Sequence, residues 1–317
     1  MKKNVLVSVI IPHYNCPDKL ERLLNTIDLK SDDIQVIVVD DRSDKDLEEL
    51  RMVRQKYSGY WVEFYRNNNG AKGAGTPRNI GIRHAQGQWL LFADSDDYFL
   101  EGAWGIIRRI CRESDADIVF FKPISLIEGT RIRSDRSNFL VEMIEEYEVS
   151  GDRSSELQLR TGFEVPWSKL MKTSFVRDNE IYFDRALIAE DILFSTKAGL
   201  LAKKIEISDE IIYCNTKGNN NSSYNNSSFY VNIRMKEALK KLIYMRKTLR
   251  RKDINLLNMT GSGYFRAAVG MNYKITDIIK WMIIFGINGF LPFEIKYIPE
   301  IGAGLIKVKM GFNSKDR

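Results

Sequence analysis

The chain has 317 residues, 44% of them hydrophobic, an ordinary balance for a folded protein and length enough for one large domain or a catalytic domain with a smaller extension. The net charge of +6 is unevenly placed: residues 229–317 hold 17 Lys and Arg against 6 Asp and Glu, whereas residues 1–228 hold 31 against 36. Cys16, Cys111 and Cys214 lie far apart, which excludes a complete disulfide framework and points to a reduced, cytoplasmic setting.

The first apolar run, Val5 to Ile11, is short, broken by Ser8 and lacks a small-residue cleavage site. It reads as a strand ended by Pro12, not as a signal peptide. Leu20, Leu23, Leu24 and Ile27 then recur at helical spacing within Asp18–Leu29. A second buried strand, Ile34 to Val39, stops at Asp40 and Asp41. A helix over Leu47–Tyr57, a strand over Trp61–Tyr65, an Asn- and Gly-rich loop over Arg66–Gly75 and a helix over Pro77–Gln86 follow. The uncharged stretch Trp89–Ala93 fits another buried strand. Strand and helix in alternation predict an α/β domain with a mixed, mostly parallel Rossmann-like sheet flanked by helices.

Sheets of this kind place ligands at the carboxyl ends of their strands. Here those ends carry Pro12, Tyr14 and Asn15, then Asp40 and Asp41, then Asp94, Asp96 and Asp97, while Arg78 opens the helix before the last strand. Asp94 and Asp96 sit two apart, so on an extended chain they point the same way. Two carboxylates held together suit Mg²⁺ or Mn²⁺, whose shell water and substrate phosphates complete. The competing reading is a solvated turn, since Asp-Ser-Asp-Asp is good turn chemistry. Tyr14, Asp41 and Arg78 would suit a base, its N–H and a phosphate; alternatively they are a strand-end aromatic, a turn acid and a solvated helix residue.

Ser8 to Asn15, Val38 to Ser43, Arg78 to Gly81 and Asp94 to Asp97, in that order, resemble the motifs of family 2 glycosyltransferases, inverting enzymes of the GT-A fold. The resemblance covers about residues 5–210 and is of the bacterial surface-polysaccharide type, with O-antigen or capsule synthesis as the implied setting. It implies that Tyr14 packs on uracil, with Pro12 giving backbone contacts. Asp41 would hold the base beside Asp40, Arg78 would reach the nucleotide, Asp94 would face the ribose or donor sugar, and Asp96, with Asp94, would hold the metal. Relatives also carry a Trp-x-Lys-Leu stretch, here Trp167 to Leu170, followed by an acid pair, here Glu190-Asp191. That implies Asp191 as general base, Glu190 as its second, and Trp167 and Lys169 on the acceptor side; packing is the competing account of Trp167. On residues alone, Glu190-Asp191 is equally a first-turn acid pair on a helix. An Arg that usually supports the diphosphate is missing, and Lys217 stands nearby as a substitute point charge. The Asn- and Ser-rich run up to Ser228 is either a lid over the donor or a linker.

These implications give a catalytic domain over 1–228, with a nucleotide-sugar half (1–100) and an acceptor half (101–228). Its partners would be a UDP-sugar donor and a saccharide acceptor carried on a polyprenyl diphosphate. Residues 229–317 form a basic helical extension. Within it, Asn232–Lys252 is a basic amphipathic helix and Trp281–Phe293 is free of charge but shorter than a membrane span. Lying peripherally on the anionic cytoplasmic face of the inner membrane is expected; a solvated helical cap is the alternative. Two other classes are set against this reading. The positive charge lacks the aromatic-plus-basic platform of a nucleic-acid binder, so no nucleic acid partner is expected. A catalytically inactive sugar-nucleotide-binding module of the same fold would not require the full set of Asp94, Asp96 and Asp191.

Overall fold

The computed structural model describes residues 5–218, 227–257, 259–270 and 273–292. The chain divides into two compact units, Met1–Asn219 and Asn220–Arg317.

The first unit runs β1 (Val7–His13), α1 (Pro17–Leu24), β2 (Ile34–Asp40), α2 (Leu47–Lys56), β3 (Val62–Arg66), α3 (Gly75–His84), β4 (Trp89–Phe92), β5 (Tyr98–Phe99), α4 (Ala103–Glu113), β6 (Ile118–Phe121) and β7 (Ile124–Ile127). After a 3₁₀ turn at Asp135–Ser137 come α5 (Asn138–Ser150), α6 (Arg153–Gly162), β8 (Lys169–Lys172), α7 (Thr173–Asp178), α8 (Asp191–Leu201), β9 (Ile205–Ser208) and β10 (Tyr213–Lys217). Among the described residues the main sheet has seven strands in the order β3-β2-β1-β4-β8-β6-β9. β3, β2, β1 and β4 are parallel, β8 runs antiparallel to both of its neighbours, and β9 is parallel to β6. A small sheet, β5-β10-β7, stands beside it.

β1 and β2 are buried along their whole length, which is why both read as near-continuous apolar runs: helices cover both faces of a parallel sheet. Contrary to the expected strand end at Pro12, β1 runs on to His13. Pairing with β4 stops at Ile10↔Phe92 while pairing with β2 continues through Pro12↔Val39. The far edge of β1 is therefore open at Pro12, and its missing N–H costs no ladder bond there. α1 ends sooner than its apolar spacing suggests, because Thr26 turns its hydroxyl onto the Leu23 carbonyl at 2.7 Å; Ile27 is still buried beyond it.

The second unit holds α9 (Ser228–Thr248), α10 (Arg251–Leu256), α11 (Ser262–Gly270) and α12 (Ile275–Ile287); α9, α11 and α12 share a core of Val231, Met235, Phe265, Ile278, Trp281 and Phe285. The amphipathic helix expected at Asn232–Lys252 is thus broken into α9 and α10. No helix among the described residues is long and apolar enough to cross a membrane. The expected lid up to Ser228 falls largely outside the described residues, as does Phe293.

Helix packing in the first unit is close enough to test. A Cβ at Gly199 on α8 would stand 1.8 Å from the Arg160 carbonyl oxygen of α6, a backbone atom that cannot swing aside. Gly199→Ala should lower stability by about 1–3 kcal/mol, read as a reduced denaturant midpoint with an unchanged slope.

Candidate active site

The parallel register His13↔Asp40 and Ile10↔Phe92 brings the carboxyl ends of β1, β2 and β4 to one edge of the sheet. Tyr14 leaves β1 with its ring 45% exposed. Asn15 follows in the left-handed region, φ 52°, which asparagine tolerates. Its side-chain oxygen accepts from the N–H groups of Asp44 (2.9 Å) and Lys45 (3.1 Å), and its amide donates to Asp44 Oδ1 (2.7 Å). This clamp fixes the loop after β2 against the loop after β1. The Lys72 ammonium sits 5.1 Å from the centre of the Tyr14 ring.

The two acids after β2 have different surroundings. Asp40 is a turn acid that accepts from the Ser43 N–H at 3.1 Å. Asp41 accepts from Asn67 Nδ2 at 2.6 Å and from the Gly73 N–H at 2.8 Å, and so ties the β3–α3 loop to the strand end. That loop is pressed on a distant segment. A Cβ at Gly73 would meet the Ala186 carbonyl oxygen at 2.4 Å, and one at Gly75 would meet Asp184 O at 2.4 Å and Glu190 Cγ at 2.8 Å. Gly73 also has φ 112°, open to glycine alone without strain. Asn79 on α3 completes the join through two 2.9 Å bonds with the Phe183 backbone.

Arg78, 4% exposed, lies at the centre. Its Nη1 donates to Glu190 Oε1 at 2.7 Å and its Nη2 to Asp94 Oδ1 at 2.6 Å, while its guanidinium lies 5.2 Å from the Phe183 ring centre. Burial works against its charge, but Asp94, Glu190 and Asp191 outweigh that and push its pKa up. Both ends of the fork are thus committed to carboxylates; Nε has no hydrogen-bond partner among the described residues. Glu190 is buried, which raises its pKa in spite of Arg78. Asp191 begins α8, and its pKa is pushed up to about 8, first by burial and then by Glu190.

The three acids after β4 also divide. Asp97 is fully buried and accepts from Tyr213 Oη (2.8 Å), Asn215 Nδ2 (2.9 Å), and the Thr216 N–H (2.7 Å) and hydroxyl (3.3 Å). It anchors β10 to the site. Tyr213 Oη also accepts from the Asp94 N–H at 2.9 Å. Thr216 donates to the Asp96 carbonyl at 2.6 Å, and Arg22 donates to the same oxygen. The Asp96 pKa is raised by burial and then by Asp94. Asp94 and Asp96 are therefore a crowded acid pair with its backbone fixed.

The residues expected on the acceptor side are placed differently. Lys169 is 2% exposed, donates to the Phe163 carbonyl at 2.5 Å and sits among the Phe120 and Phe163 rings. Burial, opposed by Asp191 and Glu164, brings its pKa down to about 7. Trp167 stacks on Tyr213 at 5.6 Å, so packing accounts for it. Lys217 donates to Asp135 Oδ1 at 2.9 Å. The sequence reading missed Asn67 and Gly73, which hold Asp41, and the Tyr213-Asn215-Thr216 edge, which holds Asp97. No regular spacing marks 213, 215 and 216, since adjacent strand residues face opposite ways; their role follows only from where β10 lies beside the acids.

Parallel strand ends that carry an acid cluster after β4, with an Arg-tied acid at the start of α8, fit a GT-A glycosyltransferase architecture. Residues 8–178 match the profile of Glycosyl transferase family 2, and the chain belongs to that family. It is 32% identical over 216 residues to the poly(ribitol-phosphate) beta-N-acetylglucosaminyltransferase TarS of Staphylococcus aureus, and 30% identical over 214 residues to a poly(ribitol-phosphate) beta-glucosyltransferase of Bacillus spizizenii. These alignments take in 66% and 65% of this chain but only 35% and 31% of the relatives, so the matched part spans about a third of their length. Among solved structures, TarS residues 1–349 with UDP-GlcNAc superpose at TM-score 0.59 and 22% identity, over 96% of this chain and 81% of that one. The mannosyltransferase PcManGT of Pyrobaculum calidifontis, with GDP-Man and Mn²⁺, gives TM-score 0.56 at 15% identity over 98% and 84%.

The raised pKa of Asp191 has a sign that can be checked. An acid whose pKa is higher folded than unfolded keeps a proton that the unfolded chain has lost, so folding stability falls as pH rises from about 4 to about 8. Asp191→Asn should therefore raise Tm at pH 8.5 and leave it nearly unchanged at pH 4, compared with the unaltered chain in thermal scans without donor.

Proposed function

We propose that this chain transfers a hexose from a UDP-sugar, with inversion, to a hydroxyl of a saccharide or polyol acceptor built into a cell-surface polymer and carried on a lipid. The observation that carries the reading is the Arg78 fork, which joins the donor-side acid Asp94 to the Glu190-Asp191 pair. Tyr14 offers an open ring face for uracil to stack on, and Asp41, beside Asp40 and the Pro12 backbone, accepts the base N–H. Asp191 takes the acceptor proton; its raised pKa makes it a stronger base than an ordinary carboxylate. Glu190 is held beside that base by its ion pair with Arg78. Arg78 thus acts as a positioning group between two acids. Lys217 adds positive charge on the diphosphate side. The poly(ribitol-phosphate) glycosyltransferases among its relatives, and TarS in complex with UDP-GlcNAc, support a UDP-sugar donor and a polymeric acceptor.

Asp94 and Asp96 fit a divalent cation. They are hard oxygen ligands, burial and then Asp94 raise the pKa of Asp96, and no side chain among the described residues donates to the Asp96 carboxylate. Mn²⁺ or Mg²⁺ there would neutralise the departing diphosphate. Release of UDP from UDP-GlcNAc or UDP-glucose with a polymer acceptor should need Mn²⁺ or Mg²⁺ and stop with EDTA. Asp96→Ala and Asp191→Asn should each lower kcat by about 10²-fold or more, and full turnover in either variant would remove that residue from its role.

Peripheral membrane attachment is the second part of this proposal. On α12, Ile279, Ile283 and Ile287 form an exposed stripe at i, i+4 spacing, continued by Leu291, within the stretch 229–317 that holds 17 Lys and Arg against 6 Asp and Glu. An amphipathic helix of this kind lies in the headgroup region. Ile283→Glu/Ile287→Glu should lose sedimentation with anionic vesicles while keeping UDP binding; unchanged sedimentation would sink the attachment.

A further inference from the structure

The first unit is acidic as a whole, yet one of its edges is not. After β7 the chain turns at Glu128-Gly129, with Gly129 at φ 73°, and comes back as a short hairpin. The Ile127 N–H donates to the Ile132 carbonyl at 2.9 Å, and Leu126 bridges Arg133 in antiparallel fashion. Arg131 and Arg133 lie two apart on this return limb, both exposed, and on an extended limb they share a side. Among the described residues neither makes an ion pair or a side-chain hydrogen bond. Arg136 follows and donates to the Thr216 carbonyl at 2.9 Å, and Lys217 pairs with Asp135. The Glu128 N–H donates to the Lys217 carbonyl at 3.1 Å, so the hairpin is stitched to β10. β10 in turn holds the acids through Thr216, and the charge of Arg136 is felt at Asp96. The two unpaired arginines are thus mounted on the strand edge that supports the candidate donor acids.

We propose that this hairpin, through Arg131 and Arg133 with Arg136 behind them, is the docking surface for an acceptor whose backbone carries phosphodiesters. The inference rests on the glycosyltransferase reading and names the acceptor class for it. Guanidinium groups match phosphate oxygens in a bidentate fashion, and arginines spaced along an extended limb suit a repeating anionic chain. A neutral glycan would leave their charge unanswered. Being exposed, the contacts act mainly through affinity and weaken as salt rises. The register of the polymer in the cleft follows, because the hairpin is fixed to β10.

The test uses the full chain and three measurements: binding of synthetic poly(ribitol phosphate), binding of UDP, and sedimentation with vesicles of anionic lipid. Arg131→Glu/Arg133→Glu should weaken polymer binding at low salt by roughly tenfold or more, with UDP affinity and vesicle binding unchanged. Arg131→Lys/Arg133→Lys should keep much of the affinity, since charge remains. In turnover, the charge-reversed variant should raise the polymer KM and leave kcat alone. Polymer binding that is absent, indifferent to salt or equal in the charge-reversed chain overturns the proposal. A variant that loses vesicle binding in place of polymer binding does so too, and assigns the arginines to lipid headgroups. Failure of the unaltered chain to bind UDP is a different result: it removes the UDP-sugar donor of the proposed function on which this inference rests.

Discussion

One buried cation organises the site. Arg78 meets Asp94 and Glu190 with its two terminal nitrogens, although Glu190 lies more than a hundred residues further along the chain. Removing a charge from water is costly and is repaid only when the pairing is geometrically sound. Two bonds of 2.7 and 2.6 Å to opposite acids meet that condition. The cost of undoing it is large as well: without Arg78, two carboxylates would be left in a poorly solvated place beside a third. Helix α3 therefore serves as the bracket that holds Asp94 and Glu190 together.

The acid cluster after β4 shows how position separates identical side chains. Asp97 has four hydrogen bonds from β10 and no exposure; it is a structural anchor. Asp94 is held by Arg78, and Asp96 is fixed through its carbonyl while no side chain among the described residues donates to its carboxylate. After β2 both acids build the frame: Asp40 closes a turn and Asp41 grips the next loop.

The sheet was legible because buried parallel strands advertise themselves as continuous apolar runs, as Val7–His13 and Ile34–Asp40 do. The motif residues were legible for a related reason: acids and aromatics at strand ends are unusual company for buried strands. What escaped were contacts between segments distant in sequence. Nothing local to Lys169 says that it turns inward onto the Phe163 carbonyl, and nothing in Arg78 says that both its ends are spoken for. Pro12 misled because its effect depends on whether a neighbouring strand lies alongside, which a single strand's sequence does not contain. The stitching of β10 to the acids was likewise invisible until the small sheet placed Tyr213, Asn215 and Thr216 beside them.

The glycines of the β3–α3 loop carry one more implication. Gly73 and Gly75 touch the backbone of Ala186 and Asp184 and the side chain of Glu190 with no room for even a methyl group, while Asp41 holds the same loop by the Gly73 N–H. Two stretches that lie far apart along the chain are therefore moulded to one another like a cast and its die. Over evolutionary time neither can be reshaped alone, so the diversity that lets this architecture accept different sugars has to arise at other places along the rim.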